Sequence, residues 1–227
     1  MKIGFLLFPN ITQLDMSGPA EVLSRMPGAT LYFVAKSLDP VMSDCGLALV
    51  PTTTLADCPP LDIVCVPGGY GTTALMSDDV VLDWLRGQAA TARYVTSVCT
   101  GSLVLAAAGL LDGYRAGCHW AWGDQLGAFG ATYVAERTVI DRNRITAGGV
   151  TSGIDFAFRM IEATHGRDVA EAVQLGLEYD PQPLGGGTPA TARPEIRAMV
   201  EAVYAKRLPA IRAASALAAE RRSPKGG

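Results

Sequence analysis

The 227-residue sequence holds only two histidines, His119 and His165, and none of its five cysteines sits in a CxxC pair. Without such a pair, or a cysteine–histidine array at ligand spacing, no zinc-type site can be assembled, so no metal is expected. Charge is scarce as well. Only 18% of residues are charged and the formal balance is −3, which argues against a basic surface for nucleic acid or anionic membranes. No apolar run approaches the roughly 20 residues that span a bilayer. The apolar stretch at residues 3–8 is too short for a signal core, and Pro9 follows it directly. Aromatic residues make up just 7%, which leaves aliphatic side chains and alanine to build the core. An odd cysteine count with no leader predicts free thiols in a reducing, cytoplasmic setting. The useful question is then which thiol is reactive.

What the chain does have is 49% hydrophobic residues, enough for a sizeable core. Short apolar strands alternate with helical stretches, the pattern of a single-domain α/β protein with a mostly parallel sheet covered on both faces. Strands are predicted at 2–8, 29–35, 62–66 and 94–98, and helices at 15–25 and 77–92. Extended pieces within 40–57 predict a hairpin at the sheet edge. Residues 132–135 and 139–146 predict another, turning at Asp141-Arg142-Asn143-Arg144. Ser152 with Asp155 three positions later reads as an N-cap opening a helix to 164, with a further helix at 168–178. After a Pro-, Gly- and Thr-rich loop at 180–194, Ile196, Met199, Val200, Val203 and Tyr204 recur at helical spacing and predict packing through one apolar stripe. Pro209 interrupts this segment. Residues 210–222 are weakly amphipathic and 223–227 are expected to fray. The organisation is thus a domain at 1–193 with a helical extension at 194–227 on the same domain.

Cys99 stands where a buried strand ends, in Thr96-Ser97-Val98-Cys99-Thr100-Gly101, and a helix of small residues follows. This resembles a nucleophile elbow, a tight turn that exposes the side chain and aims backbone N–H groups at a developing anion. A helix N-terminus at that point would favour the thiolate and lower the cysteine pKa. Asp15 lies seven residues past the first strand. In a doubly wound sheet, loops after adjacent strands converge on one crevice, so Asp15 is a candidate acid or base, or else a helix cap. Pro67-Gly68-Gly69 ends another strand, and its glycines let the backbone approach a ligand and offer N–H donors to an oxyanion. Tyr70 is a candidate for the pocket wall. Gly148, Gly149 and Val150 form the approach to a helix bordering the pocket. His119 either transfers protons or orders its loop. Cys118 is either a resolving thiol or core, and Trp120 and Trp122 are core or dimer contacts.

These segments, with Ala107-Ala108-Gly109-Leu110-Leu111, His119-Trp120 and residues 147–155, look like the ThiJ/PfpI superfamily from Met1 to about Arg193. The Asp-x-x-Gly-Pro of residues 15–19 and the Cys-Thr-Gly of residues 99–101 resemble its isocyanide hydratase branch. Other branches carry Glu where Asp15 stands, or His where Thr100 stands; the adjacent Cys-His dyad is absent here. The resemblance implies a flavodoxin-like fold of the class I glutamine amidotransferase kind, a homodimer, and no cofactor. It also implies a reaction: Cys99 attacks the terminal carbon of an organic isocyanide, Asp15 supplies a proton, and water releases an N-substituted formamide from a thioimidate. Thr100, through its N–H and hydroxyl, and Gly69, through its N–H, would assist.

Three other readings compete. A sensor domain of AraC-type regulators needs roughly 100 more residues for its DNA-reading motifs, and only about 30 follow the matched part. A redox-sensing or chaperone-like protein would use reversible oxidation of Cys99. An enzyme acting on another small electrophile, such as a 2-oxoaldehyde, is the third.

Overall fold

Strands covered by helices on both faces are buried on both faces, so they read as unbroken apolar runs. In the computed structural model, which describes residues 1–222, β1 (Lys2–Leu6) and β2 (Thr30–Ala35) come first. Three two-residue strands follow, β3 (Val41–Met42), β4 (Ala48–Leu49) and β5 (Thr53–Thr54). Then come β6 (Ile63–Val66), β7 (Tyr94–Val98), β8 (Arg115–Ala116), β9 (Thr132–Tyr133), β10 (Thr138–Asp141) and β11 (Arg144–Ala147). Seven of them form one sheet in the order β10-β11-β7-β6-β1-β2-β5. All its pairings are parallel except β10 with β11. The chain starts in the middle at β1, winds outward through β2 and β5, then returns to β6 and winds the other way. That reversal between β1 and β6 is the switch point at which α/β sheets open a crevice beyond their carboxyl ends.

The helices are α1 (Gln13–Ser24), α2 (Thr72–Leu75), α3 (Asp79–Ala89), α4 (Gly101–Ala107), α5 (Ser152–His165), α6 (Arg167–Gly176), α7 (Pro194–Ala205) and α8 (Leu208–Arg222), with a 3₁₀ turn over Gly123–Phe129. One layer packs α1 on α5 and α5 on α6; the other groups α2, α3, α4 and α8. Every residue of α4 is buried, which is why Gly101–Ala107 is small and apolar throughout. No helix of the described residues is long and apolar enough to cross a membrane.

Several expectations are corrected. The hairpin of residues 40–57 is not the sheet edge: β3 and β4 pair with each other apart from the main sheet, and β5 takes the edge position. Residues 132–133 do not join the hairpin of β10 and β11 but pair in parallel with 115–116. Ser152 is the first residue of α5, not its cap, and its buried hydroxyl has no partner. Asp155 is drawn instead to Arg137 and accepts from the Tyr179 hydroxyl at 2.9 Å. The stripe on α7 stays outside: no residue of that helix is buried, and Met199 and Val203 are 60% exposed. Docking of the extension falls to α8, which buries Ile211, Ser215 and Ala218 on one face. Arg222 there donates to the Ala106 and Phe129 carbonyls at 3.0 Å each, adding a second donor to the Ala106 carbonyl at the end of α4, which also accepts the Gly109 N–H at 2.9 Å. The fraying expected at 223–227 lies outside the described residues.

The junction of β7 and α4 depends on the absence of a side chain. A methyl group at Gly101 would sit 1.9 Å from the Val66 carbonyl oxygen of β6. Gly101→Ala is expected to cost at least about 2 kcal/mol. Gly87→Ala in α3, where nothing lies within 4 Å, should be neutral or stabilise by up to about 1 kcal/mol. Denaturant melts of the two variants check this contrast, and equal stability would show that the close approach is not maintained.

Candidate active site

Four loops leave the carboxyl ends of neighbouring parallel strands and meet: the one into α1 after β1, Gly68–Tyr70 after β6, the Cys99 turn after β7, and Gly148–Val150 after β11. Cys99 adopts φ +59°, a left-handed conformation that costs a non-glycine residue about 1–3 kcal/mol. The surroundings enforce it. Its N–H is shared between the Gly148 carbonyl at 2.8 Å and the Ala147 carbonyl at 3.1 Å, and Gly101 pins the next turn to β6. The elbow expected from sequence is therefore present, with its cysteine 6% exposed.

Asp15 is not a cap. The helix α1 begins two residues earlier, with Thr12 in the N-cap position, so Asp15 sits in the first turn and is fully buried. One carboxyl oxygen, Oδ2, accepts the Gly68 N–H at 2.9 Å. The other, Oδ1, is buried with no hydrogen-bond partner. A methyl group at Gly68 would stand 2.6 Å from Asp15 Oδ2, 2.7 Å from the Thr100 nitrogen and 2.8 Å from Cys99 Cβ. The three groups thus converge on one point, and Gly68 is the residue that leaves it open.

Burial raises the Asp15 carboxyl from its ordinary 3.8 to about 7, against the lowering effects of the Gly68 N–H and of Cys99. The Cys99 thiol is pushed well above its usual range, first by burial and then by the Asp15 charge; the Thr100 N–H, a backbone donor turned to the sulfur, works the other way. The low-pKa thiolate expected from the helix terminus is thus corrected, because desolvation and a neighbouring acid outweigh a seven-residue helix. Two such acids titrate as a pair. The first proton leaves near neutrality, and it leaves the carboxyl: the negative charge rests on Asp15 while the sulfur keeps its proton.

Thr100 contributes its N–H, while its hydroxyl is committed. It accepts the Gly69 N–H at 3.0 Å and lies 3.1 Å from the buried Thr72 hydroxyl, which also contacts the Gly69 carbonyl at 2.8 Å. Gly69 consequently spends its N–H on Thr100 and shapes the loop, at φ +135°. The Thr72 link had no sequence signal, since nothing in the motif marks a threonine three residues beyond the glycine pair. Gly148 holds the elbow through its carbonyl. Val150 is half-buried and accepts the Gly153 N–H at 3.4 Å at the start of α5.

An aromatic cluster stands beside these loops. His119 is packed among Trp120, Trp122 and Tyr204, with ring centroids 5.2–6.5 Å from its own, and accepts the Ala121 N–H on Nδ1 at 3.2 Å. Burial, with help from Arg207, lowers its pKa to about 4, so it is neutral at pH 7. No hydrogen bond joins it to Cys99 or Asp15 among the described residues. Tyr70 is 53% exposed, and the Arg207 guanidinium lies 3.6 Å from its ring centroid. Cys118 is buried, and burial raises its thiol strongly. A separate cleft of about 710 Å³ shares none of these residues, and its arginines 137, 159 and 167 are each paired with an acid beside them. No group of three His, Cys, Asp or Glu side chains among the described residues could hold a metal ion.

Residues 1–163 match the model of the DJ-1/PfpI family. The chain belongs to this family. It is 55% identical over 193 residues to an isonitrile hydratase of Pseudomonas putida, covering 85% of each chain. It is 36% identical over 187 residues to the HTH-type transcriptional regulator GbdR of Pseudomonas aeruginosa, but that match covers 79% of this chain and 51% of the regulator. Among solved structures, a ThiJ/PfpI family protein from Pseudomonas syringae superposes with a TM-score of 0.92 at 44% identity, covering 94% of this chain and 90% of that one. The family and the flavodoxin-like fold read from the sequence are therefore borne out.

The buried acid also has a consequence for folding. Between about pH 4 and pH 7 the folded carboxyl keeps a proton that the unfolded chain releases, so stability falls as pH rises through this window. The full cost above pH 7 is about 4 kcal/mol. Asp15→Asn removes that penalty while keeping an acceptor for Gly68. Its melting temperature should exceed the wild type's by several degrees at pH 8, with the gap closing toward pH 4. A pH-independent difference would show that the carboxyl does not change protonation on folding.

Proposed function

We propose that the protein is a hydratase, a hydro-lyase that adds water to an organic isocyanide to give an N-substituted formamide. The observation that carries this reading is the buried Asp15–Cys99 pair, proton donor beside nucleophile, in a chain 55% identical to an isonitrile hydratase. An isocyanide is attacked at its terminal carbon, and that carbon must then be protonated. A buried carboxylate that takes the thiol's proton as sulfur attacks, and then gives it to carbon, meets both needs.

The steps follow from the order in which the pair ionises. As the Cys99 sulfur forms a C–S bond to the terminal carbon its proton passes to the Asp15 carboxylate, and Asp15 gives that proton to the carbanion, leaving a thioimidate and a carboxylate. The carboxylate then takes a proton from a water that attacks the same carbon and passes it to the substrate nitrogen. Collapse of the adduct forms the formyl C=O, expels the thiolate and returns the last proton to the pair. The Thr100 N–H steadies negative charge on sulfur at the start and the end. Gly69, Thr72 and the Thr100 hydroxyl hold that N–H in place, Gly148 holds the elbow, and Tyr70 and Val150 border the pocket.

Cys99→Ala should abolish formamide formation and Asp15→Asn should lower kcat by at least about 10²-fold, followed by the loss of the isocyanide infrared band. In the wild type, kcat/KM should rise with pH to a midpoint near 7, where the pair gives up its first proton. Undiminished turnover in the Asp15 variant would leave the proton donor elsewhere.

We also propose a cytoplasmic homodimer, supported by five unpaired cysteines and by exposed apolar side chains such as Leu175, Met199 and Val203. Light scattering should return twice the chain mass of 23.8 kDa; a monomer at micromolar concentration would overturn it.

A further inference from the structure

We propose that Arg207 is the residue that selects the substrate, and that it does so by binding a carboxylate carried on the isocyanide's organic substituent. This inference rests on the hydratase reading and adds the class of isocyanide to it.

Arg207 stands in the corner between α7 and α8, half-buried. Its guanidinium carbon lies over the Tyr70 ring, 3.6 Å from the centroid, and 5.9 Å from the centroid of Trp122. Stacking of this kind holds the guanidinium plane and leaves its N–H edge free to meet a carboxylate with two parallel hydrogen bonds. That edge has no protein acceptor among the described residues. Arg144, Arg221 and Arg222, by contrast, reach a carbonyl or a carboxylate with their guanidinium groups. The one carboxylate that acts on Arg207 electrostatically is Asp44, and it makes no ion pair there; its Oδ2 accepts the Thr12 hydroxyl at 2.5 Å. The positive end of α8 begins at the next residue and adds to the same corner.

The position fits the reaction. Tyr70 follows directly on Gly68 and Gly69, the loop that faces Asp15 and Thr100, and Arg207 is within Coulombic reach of Cys99 itself. The R–N≡C unit is linear, so a substrate with its terminal carbon at Cys99 extends its far end away from the elbow. Tyr70 and Tyr204 flank the Arg207 charge there. A neutral substituent against Arg207 would leave a desolvated cation unpaired, whereas a carboxylate satisfies it. The preferred substrates are therefore isocyano-carboxylates.

The test compares para-isocyanobenzoate with its methyl ester, using the full-length protein. The wild type should favour the acid in kcat/KM by at least about tenfold, the size of a charge-assisted, bidentate contact. The preference should reside in KM and weaken as salt is raised. In Arg207→Gln the acid-to-ester ratio should fall at least tenfold, and Arg207→Lys should retain part of it. Because the ratio is taken on one preparation, partial unfolding of a variant does not affect it. Turnover of the ester with no preference for the acid, or a ratio that Arg207→Gln leaves unchanged, overturns this inference alone. Turnover of neither compound by the wild type overturns the hydratase reading beneath it.

Discussion

The architecture turns on a buried carboxyl held against a buried thiol. Neither group gains from the arrangement on its own: water would solvate both better, and each makes the other harder to ionise. What holds them together is the rest of the fold. The parallel core strands bring the loops after β1, β6 and β7 to one edge, Gly68 keeps side chains out of the gap, and Gly101 fixes the height of the turn above β6. The unfavourable local terms are offset by an apolar core that runs through the sheet strands and α4, in which Asp15 is the one charged side chain among the described residues.

That offset explains why the site is chemically poised. A solvated aspartate is a poor acid at pH 7, and a solvated thiol is mostly protonated there. With the two buried together, the carboxyl ionises only near neutrality and the sulfur keeps its proton, so the proton that leaves the sulfur on attack is received where the carbanion will need it. Strain at Cys99 serves the same end, since the left-handed turn directs the sulfur toward Asp15 and the Thr100 N–H together.

Much of this was legible in the sequence, for physical reasons. Ile63–Val66 and Tyr94–Val98 are recognisable because burial on both faces erases alternation, and the small residues after Cys99 are recognisable because α4 has no exposed side. That Asp15 nears the crevice could be expected from the doubly wound pattern, while the choice between acid and helix cap needed the burial that the structure shows. Where the reading failed, the deciding forces act over distances that no window of sequence contains. Two-residue strands such as 115–116 and 132–133 have no periodicity to detect. The pattern at Ser152 and Asp155 was overridden by Arg137, fifteen and eighteen positions earlier. The stripe on α7 has helical spacing but no surface opposite it, apart from Tyr204. The pKa of Cys99 was misjudged because a helix terminus can be seen in sequence and desolvation cannot. Arg207 carried no motif; only its stacking on Tyr70, far away in the chain, sets it apart.

The placing of α8 bears on how the protein is made. The ribosome releases α8 after every strand and loop of the site, yet Arg222 on that helix secures the end of α4 immediately behind the nucleophile. The sheet and its four loops can assemble while the chain is still emerging. The thiol and carboxyl then wait for α8, so a nascent chain holds its reactive pair with the end of α4 unsecured until that helix has emerged.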